Sequence, residues 1–131
     1  IVLRTIETPN GTLTYWRKIR ALETSYSAAT SGKSADHPQY GVTFTGVKVD
    51  RGIVAVDPKV IGLNSSLFVP GYGQGRAADT GGSVTGRRVD LGYSDDDLVM
   101  WYRWVDVYLL GSPPSADQIR WVLPNWPREG R

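Results

Sequence analysis

The chain of 131 residues contains no cysteine, so a disulfide framework, a zinc-thiolate site and a thiol nucleophile are all excluded. The redox compartment stays open, because a domain of this size is stable without disulfides inside or outside a cell. Histidine is almost as scarce. The single one, His37, falls in a polar stretch that reads as a surface loop, and no Gly-x-Ser-x-Gly elbow exists, since Gly81-Gly82-Ser83-Val84-Thr85 fails at its last residue. A Ser-His-Asp triad is set aside on both grounds. Charge of one sign is lacking too: fifteen Lys and Arg against thirteen Asp and Glu leave a net charge of +2. That falls short of the clustered basic footprint of a nucleic-acid binder, and no nucleic acid is expected as a partner. No apolar run approaches the ~20 residues that cross a bilayer, so no membrane span is expected in this chain. The chain starts at Ile1 with no charged segment followed by an apolar one. It reads as a piece of a longer parent protein whose other domains are further partners.

Aromatics are plentiful, but they are five Trp and seven Tyr against two Phe. Amphipathic rings suit a groove for sugars and equally suit β-strand packing. The pattern is mostly β. Segments 1–7 and 12–22 are rich in β-branched and aromatic residues and flank Pro9-Asn10-Gly11, a hairpin turn signal. Residues 27–40 read as a long polar loop. Short strands are expected at 42–49, 52–56, 66–70, 75–78, 87–91 and 105–110, punctuated by glycines, which predicts an all-β fold built as a small barrel. Gly71-Tyr72-Gly73-Gln74-Gly75 has Arg76 in place of the third glycine of a dinucleotide fingerprint and no helix start after it, so it reads as a turn. Two short helices are expected. One covers 94–104, with Ser94 as N-cap and Asp95, Asp96 and Asp97 in its first turn. The other starts at Ser115-Ala116-Asp117-Gln118 and docks Ile119, Trp121 and Val122 on the barrel. Three segments are assigned: an N-terminal hairpin extension (1–19), a barrel domain (20–111) and a C-terminal tail with a short helix (112–131).

Three aspartates stand out by their settings: Asp57 in Val54-Ala55-Val56-Asp57-Pro58, Asp79 in Asp79-Thr80-Gly81-Gly82, and Asp90 in Arg88-Val89-Asp90-Leu91. Each follows a short apolar run, and two are flanked by Gly or Pro, which set special backbone geometry and present carboxylates at strand ends. Carboxylates alone support two chemistries. Asp79-Thr80-Gly81 is the triplet of aspartic proteases, in which two aspartates share a proton, but it occurs once and would require a dimer. In glycoside cleavage, a protonated carboxylic acid donates to the glycosidic oxygen as charge develops on the sugar. Burial and neighbouring like charges raise a carboxyl pKa in the sense that task needs. A metal site of the three aspartates fits no loop in which one backbone turn supplies the ligands, and neither a metal nor a cofactor is expected.

The succession Gly41-Val42-Thr43-Phe44-Thr45-Gly46, Arg51-Gly52-Ile53-Val54-Ala55-Val56-Asp57-Pro58-Lys59-Val60-Ile61, Val69-Pro70-Gly71-Tyr72-Gly73 and Ala78-Asp79-Thr80-Gly81-Gly82-Ser83-Val84-Thr85-Gly86-Arg87-Arg88-Val89-Asp90-Leu91 resembles the three-aspartate (3D) domain family. That family includes the stationary-phase survival muralytic proteins and is related to the catalytic barrel of membrane-bound lytic transglycosylase A. The likeness covers about residues 20–110, with the aspartates in order and spaced by twenty-two and then eleven residues.

The resemblance implies a double-psi β-barrel and cleavage of the β-1,4 bond between N-acetylmuramic acid and N-acetylglucosamine to give a 1,6-anhydro sugar. The partner it implies is the glycan strand of peptidoglycan, in a bacterial wall outside the membrane. By position in the motif Asp90 matches the catalytic acid/base, with Asp79 and Asp57 as supporting carboxylates. Asp57, ahead of Pro58, is equally suited to bonding turn amides. Thr45, Thr80, Gly81, Gly82 and Tyr72 are candidate substrate-binding residues. One departure is Gly62-Leu63-Asn64-Ser65, where relatives commonly have Pro-Leu-Gly-Thr; Asn64 retains tolerance of left-handed geometry. Trp121 is expected to pack, whereas Trp126 and the terminal arginines Arg128 and Arg131 suit either packing or polymer contact. A non-catalytic wall-binding module and a dimeric aspartic protease are the alternatives.

Overall fold

The computed structural model describes residues 1–130, so Arg131 lies outside the described residues. Among them seven strands form one sheet: β1 (Arg4–Thr8), β2 (Gly11–Tyr26), β3 (Ile53–Val56), β4 (Ser66–Val69), β5 (Gly73–Asp79), β6 (Arg88–Gly92) and β7 (Arg103–Leu110). Their order is β1-β2-β6-β3-β5-β4-β7, and an additional pairing of β2 with β7 closes β2 to β7 into a six-stranded barrel with β1 outside it. Closure satisfies strand edges that would otherwise pair with other chains. Two pairings are parallel, β2 with β6 and β3 with β5. The all-β barrel read from the sequence is the fold.

β2 is the spine. Its first half pairs with β1 through a turn in which Gly11 takes φ +116°, open to glycine alone at little cost, and Thr8 Oγ1 donates to the Gly11 carbonyl at 2.7 Å. A register shift between Tyr15 and Arg17 then lets the strand run antiparallel to β7, and its end pairs with β6. Period-2 alternation sends Ile19 and Ala21 of β2, Val54 and Val56 of β3, Leu67 and Val69 of β4, Val89 and Leu91 of β6, and Val107 and Leu109 of β7 into one core. Each Val, Leu or Ile among them contributes about 1.5–3 kcal/mol relative to exposure. Asn64 takes φ +71°, the left-handed geometry anticipated for it.

Three expected elements differ. Residues 42–49 are a tight loop with one isolated bridge, Val42 to Lys48, because the Thr43 and Val47 backbones bond across a turn closed by Gly46 at φ +89°. Residues 94–104 form no helix. Asp97 turns back to accept from the Ser94 amide and hydroxyl, Asp95 accepts from the Ala29 amide and the Tyr40 hydroxyl, and the Trp101 amide is taken by Ser25 Oγ. The segment is thereby held as a turn at 95–97 and an irregular path into β7. The second helix shrinks to a single 3-10 turn, Ala116–Gln118, in which Ser115 makes no side-chain cap. Ile119 alone of its expected docking residues is buried. Trp121 stays exposed, with the Arg17 guanidinium stacked 5.1 Å from its ring centre, and Val122 is exposed too.

Candidate active site

Ala55 is the centre of the site. It lies opposite Asp90 in the antiparallel β3–β6 ladder and opposite Asp79 in the parallel β3–β5 ladder. Adjacent strands lie about 4.8 Å apart, so the two aspartate backbones flank Ala55 at roughly 10 Å from each other. Neighbours of Ala55 along β3, Val54 and Val56, belong to the core; Ala55, itself covered, and the residues paired with it therefore point away from that core. Asp79 reaches that face through a bulge. Ala77 pairs with the inward Val54, and strict alternation would send Asp79 inward as well, but the register shift between Val54 and Ala55 places Asp79 beside Ala55. Thr24 and Tyr26, two apart on β2, complete the face, with Thr24 paired to Asp90.

Asp90 is partly buried, and Thr24 Oγ1 donates to its Oδ1 at 2.8 Å. Burial pushes the Asp90 carboxyl above the usual aspartate range. The Thr24 hydrogen bond and the Arg88 charge oppose that shift, and the Asp79 charge adds to it. Asp79 is held by three donors. Tyr26 Oη donates to Oδ2 at 2.6 Å, while the amides of Phe44 and Thr80 donate to Oδ1 at 2.8 and 2.9 Å. Burial and this bond to a carboxylate raise the Tyr26 phenol far above its ordinary value, so it stays a donor. Asp57 is spoken for differently. Its Oδ1 accepts from the Lys59 amide at 2.9 Å, its Oδ2 from the Gly86 amide at 2.8 Å, and its carbonyl from Val60 and Ile61. Asp57 thus ties its own turn to the loop that feeds β6. Among the described residues no group of three or more His, Cys, Asp or Glu is arranged to hold a metal ion.

Residues 52–110, which include all three aspartates, match the family model of the 3D domain. The match takes in just under half of the chain. It is 38% identical over 79 residues to YocH of Bacillus subtilis (strain 168), named a cell wall-binding protein, a match covering 57% of this chain and 25% of that one. It is 39% identical over 85 residues to YabE of the same organism, provisionally named for cell wall shaping, covering 62% of this chain and 19% of that one. The chain thus spans a quarter or less of the curated relatives it matches.

Beside Asp79 lies a cavity of about 380 Å³, lined among others by Tyr26, Lys33, Phe44, Asp79 and Thr80. Of the residues singled out from sequence, Thr80 lines this cavity. Thr45 sits next to it, but its hydroxyl donates to the Ala78 carbonyl at 2.6 Å and fastens the loop to β5. Gly81 and Gly82 are exposed in the loop between the two aspartates. A Cβ at Gly82 would meet nothing within 4 Å, whereas one at Gly81 would press on Val84 at 3.0 Å. Tyr72 is a correction. It is buried in the core edge-on to Tyr93, because its hydroxyl accepts from the Gly52 amide and donates to the Gly92 carbonyl, so it cannot touch a ligand. Sequence reasoning missed Thr24 and Tyr26, which bond Asp90 and Asp79, Arg88, which bonds Thr24, and Phe44, which is 69% exposed at the cavity. The period-2 spacing of Thr24 and Tyr26 was the one available signal, and it lies past the point where β2 was expected to stop.

Proposed function

We propose that the chain acts on bacterial peptidoglycan, outside the membrane and as part of a longer protein, as a lytic transglycosylase. The observation that carries this reading is Asp90: a carboxyl raised above the aspartate range by burial, on the same face as Asp79 and across one small residue from it. In this reading Asp90 gives its proton to the glycosidic oxygen as the bond to C1 breaks. The resulting carboxylate takes the proton of the sugar's own C6 hydroxyl, whose oxygen closes on C1 to give the 1,6-anhydro ring. The second step is intramolecular, so it gains from high effective molarity and needs no second carboxylate to hold a water. Asp79, fixed by three donors, steadies positive charge developing on the ring, a preorganised role that costs no reorientation. Asp57 serves as an anchor of the loops. Thr80 and the flat, exposed ring of Phe44 offer the sugar a polar and an apolar contact beside the cavity.

A second reading, a wall-binding module without turnover, is favoured by the name of one relative, a cell wall-binding protein. A dimeric protease is not favoured: the Asp79-Thr80-Gly81 triplet occurs once, and three donors from the chain itself already bond the Asp79 carboxylate. Mass spectrometry of purified peptidoglycan incubated with the chain separates these readings. Soluble 1,6-anhydro-muropeptides support the transglycosylase. Reducing-end products mean that water attacks, and retention on insoluble wall without products leaves the binding module.

A further inference from the structure

The Thr24 hydroxyl is shared three ways. Arg88 Nε and Nη2 both donate to Thr24 Oγ1 at 3.2 Å, and Oγ1 donates to Asp90 Oδ1 at 2.8 Å. A guanidinium has only donors and does not lose its proton in proteins, so the direction of this chain is fixed from Arg88 to Thr24 to Asp90. Both lone pairs of Oγ1 face Arg88, and its one hydrogen has nowhere better to go than Oδ1; the alternative, the Val89 carbonyl, is 3.5 Å away. A proton placed on Asp90 Oδ1 would weaken it as the acceptor of that hydrogen. Among the described residues nothing donates to Oδ2.

We infer that Arg88 and Thr24 are positioning residues that assign the two oxygens of Asp90 different tasks, Oδ1 as permanent acceptor and Oδ2 as the atom that carries and transfers the proton. The glycosidic oxygen must then approach Oδ2. There the Oδ2–H bond breaks as the C1–O bond breaks, the leaving sugar departs with the proton, and the negative charge left on Asp90 is met at Oδ1 by a donor already in place. Without the relay the proton is free to sit on either oxygen, and half of those placements face away from the sugar. The catalytic consequence rests on the transglycosylase reading; the hydrogen-bond geometry does not.

Thr24→Val tests this, because valine keeps the β-branched shape and strand preference while removing the hydroxyl. The titratable or charged groups that act on Asp90 are Tyr26 on β2, Asp79 on β5 and Arg88 on β6, while β3 contributes the uncharged Ala55. All remain in the variant. The side-chain carboxyl ¹³C shift of Asp90, followed by NMR through a pH titration of the whole chain, should move upward in Thr24→Val, return to the wild-type curve in Thr24→Ser, and move upward in Arg88→Gln. Anhydro-sugar release by Thr24→Val should fall at least tenfold, its pH profile displaced in the same direction, with Thr24→Ser rescuing both. An unchanged Asp90 titration in a Thr24→Val protein with wild-type circular dichroism overturns the relay. If the titration moves as stated but neither wild type nor any variant releases product, the relay stands and the transglycosylase reading falls.

Discussion

Replacing Tyr72 by Phe distinguishes a structural tyrosine from a ligand-binding one. The ring stays, so no cavity opens and the edge-on contact with Tyr93 persists. The oxygen goes, and with it the bridge between the Gly52 amide and the Gly92 carbonyl, which joins the entry to β3 with the end of β6. Burial pushes the Tyr72 phenol up to about 12, as expected of a hydroxyl closed off from water. A buried backbone group left without a partner costs roughly 1–3 kcal/mol, so two of them cost about 3 kcal/mol together with some relaxation. With a urea slope of about 1.5 kcal/mol per molar for a domain of this size, the unfolding midpoint should fall by roughly 2 M. Tryptophan fluorescence reads it directly, since Trp16 and Trp101 pack on the core. Retention on insoluble wall, measured well below the transition, should be unchanged. A midpoint within ~0.3 M of wild type, coupled with lost retention, would refute the assignment and return Tyr72 to the sugar.

Two further perturbations follow from groups outside the site. Glu23 is closed to solvent, with Arg103 Nε on one oxygen and no partner for the other, and burial raises its carboxyl above the usual range. Arg103→Met should cost about 3 kcal/mol at pH 7 by stranding that charge, with most of the loss recovered by adding Glu23→Gln. Because the folded-state pKa is raised, the stability linked to Glu23 is full below the ordinary glutamate value and is lost as pH rises through the folded value. The Arg103→Met deficit, read from urea midpoints, should therefore shrink at pH 4. An equal deficit at both pH values would rule out the stranded charge. Gly86 has φ +69° and a Cβ there would stand 2.0 Å from the Trp126 carbonyl, which the Arg87 amide bonds at 2.7 Å. Gly86→Ala should cost about 2 kcal/mol and speed hydrogen exchange at Arg87 as the tail lifts, whereas exchange at wild-type rate would mean the tail does not dock there.

The barrel was legible because its signals are local. Pro9-Asn10-Gly11 makes its turn, seven of the eight expected strand segments lie where alternation and glycines put them, and Asn64 adopts the geometry its type tolerates. The aspartates stood out in the sequence through their spacing and flanking residues. What surrounds them was not, because Thr24 and Tyr26 reach Asp90 and Asp79 across 66 and 53 residues of chain. Their partnership depends on a parallel pairing that no local pattern announces. The bulge that turns Asp79 outward is a register event between β3 and β5, equally invisible in either strand alone. The helix expected at 94–104 failed for a related reason: Asp95, which favours a first helical turn, is here claimed by Ala29 and Tyr40, the Trp101 amide is claimed by Ser25, and these distant hydrogen bonds outweigh a weak local propensity.

The assignment of Asp90 as the reacting acid is tested most directly by the initial rate of 1,6-anhydro-end release from peptidoglycan by Asp90→Asn beside wild type, with wall retention measured on the same samples. Asparagine keeps an oxygen to accept from Thr24 but has neither the proton to give nor the carboxylate to take one, so retention should be unchanged while the rate falls by about 10²–10⁴-fold. A variant that releases anhydro ends within a few-fold of wild type would contradict the assignment.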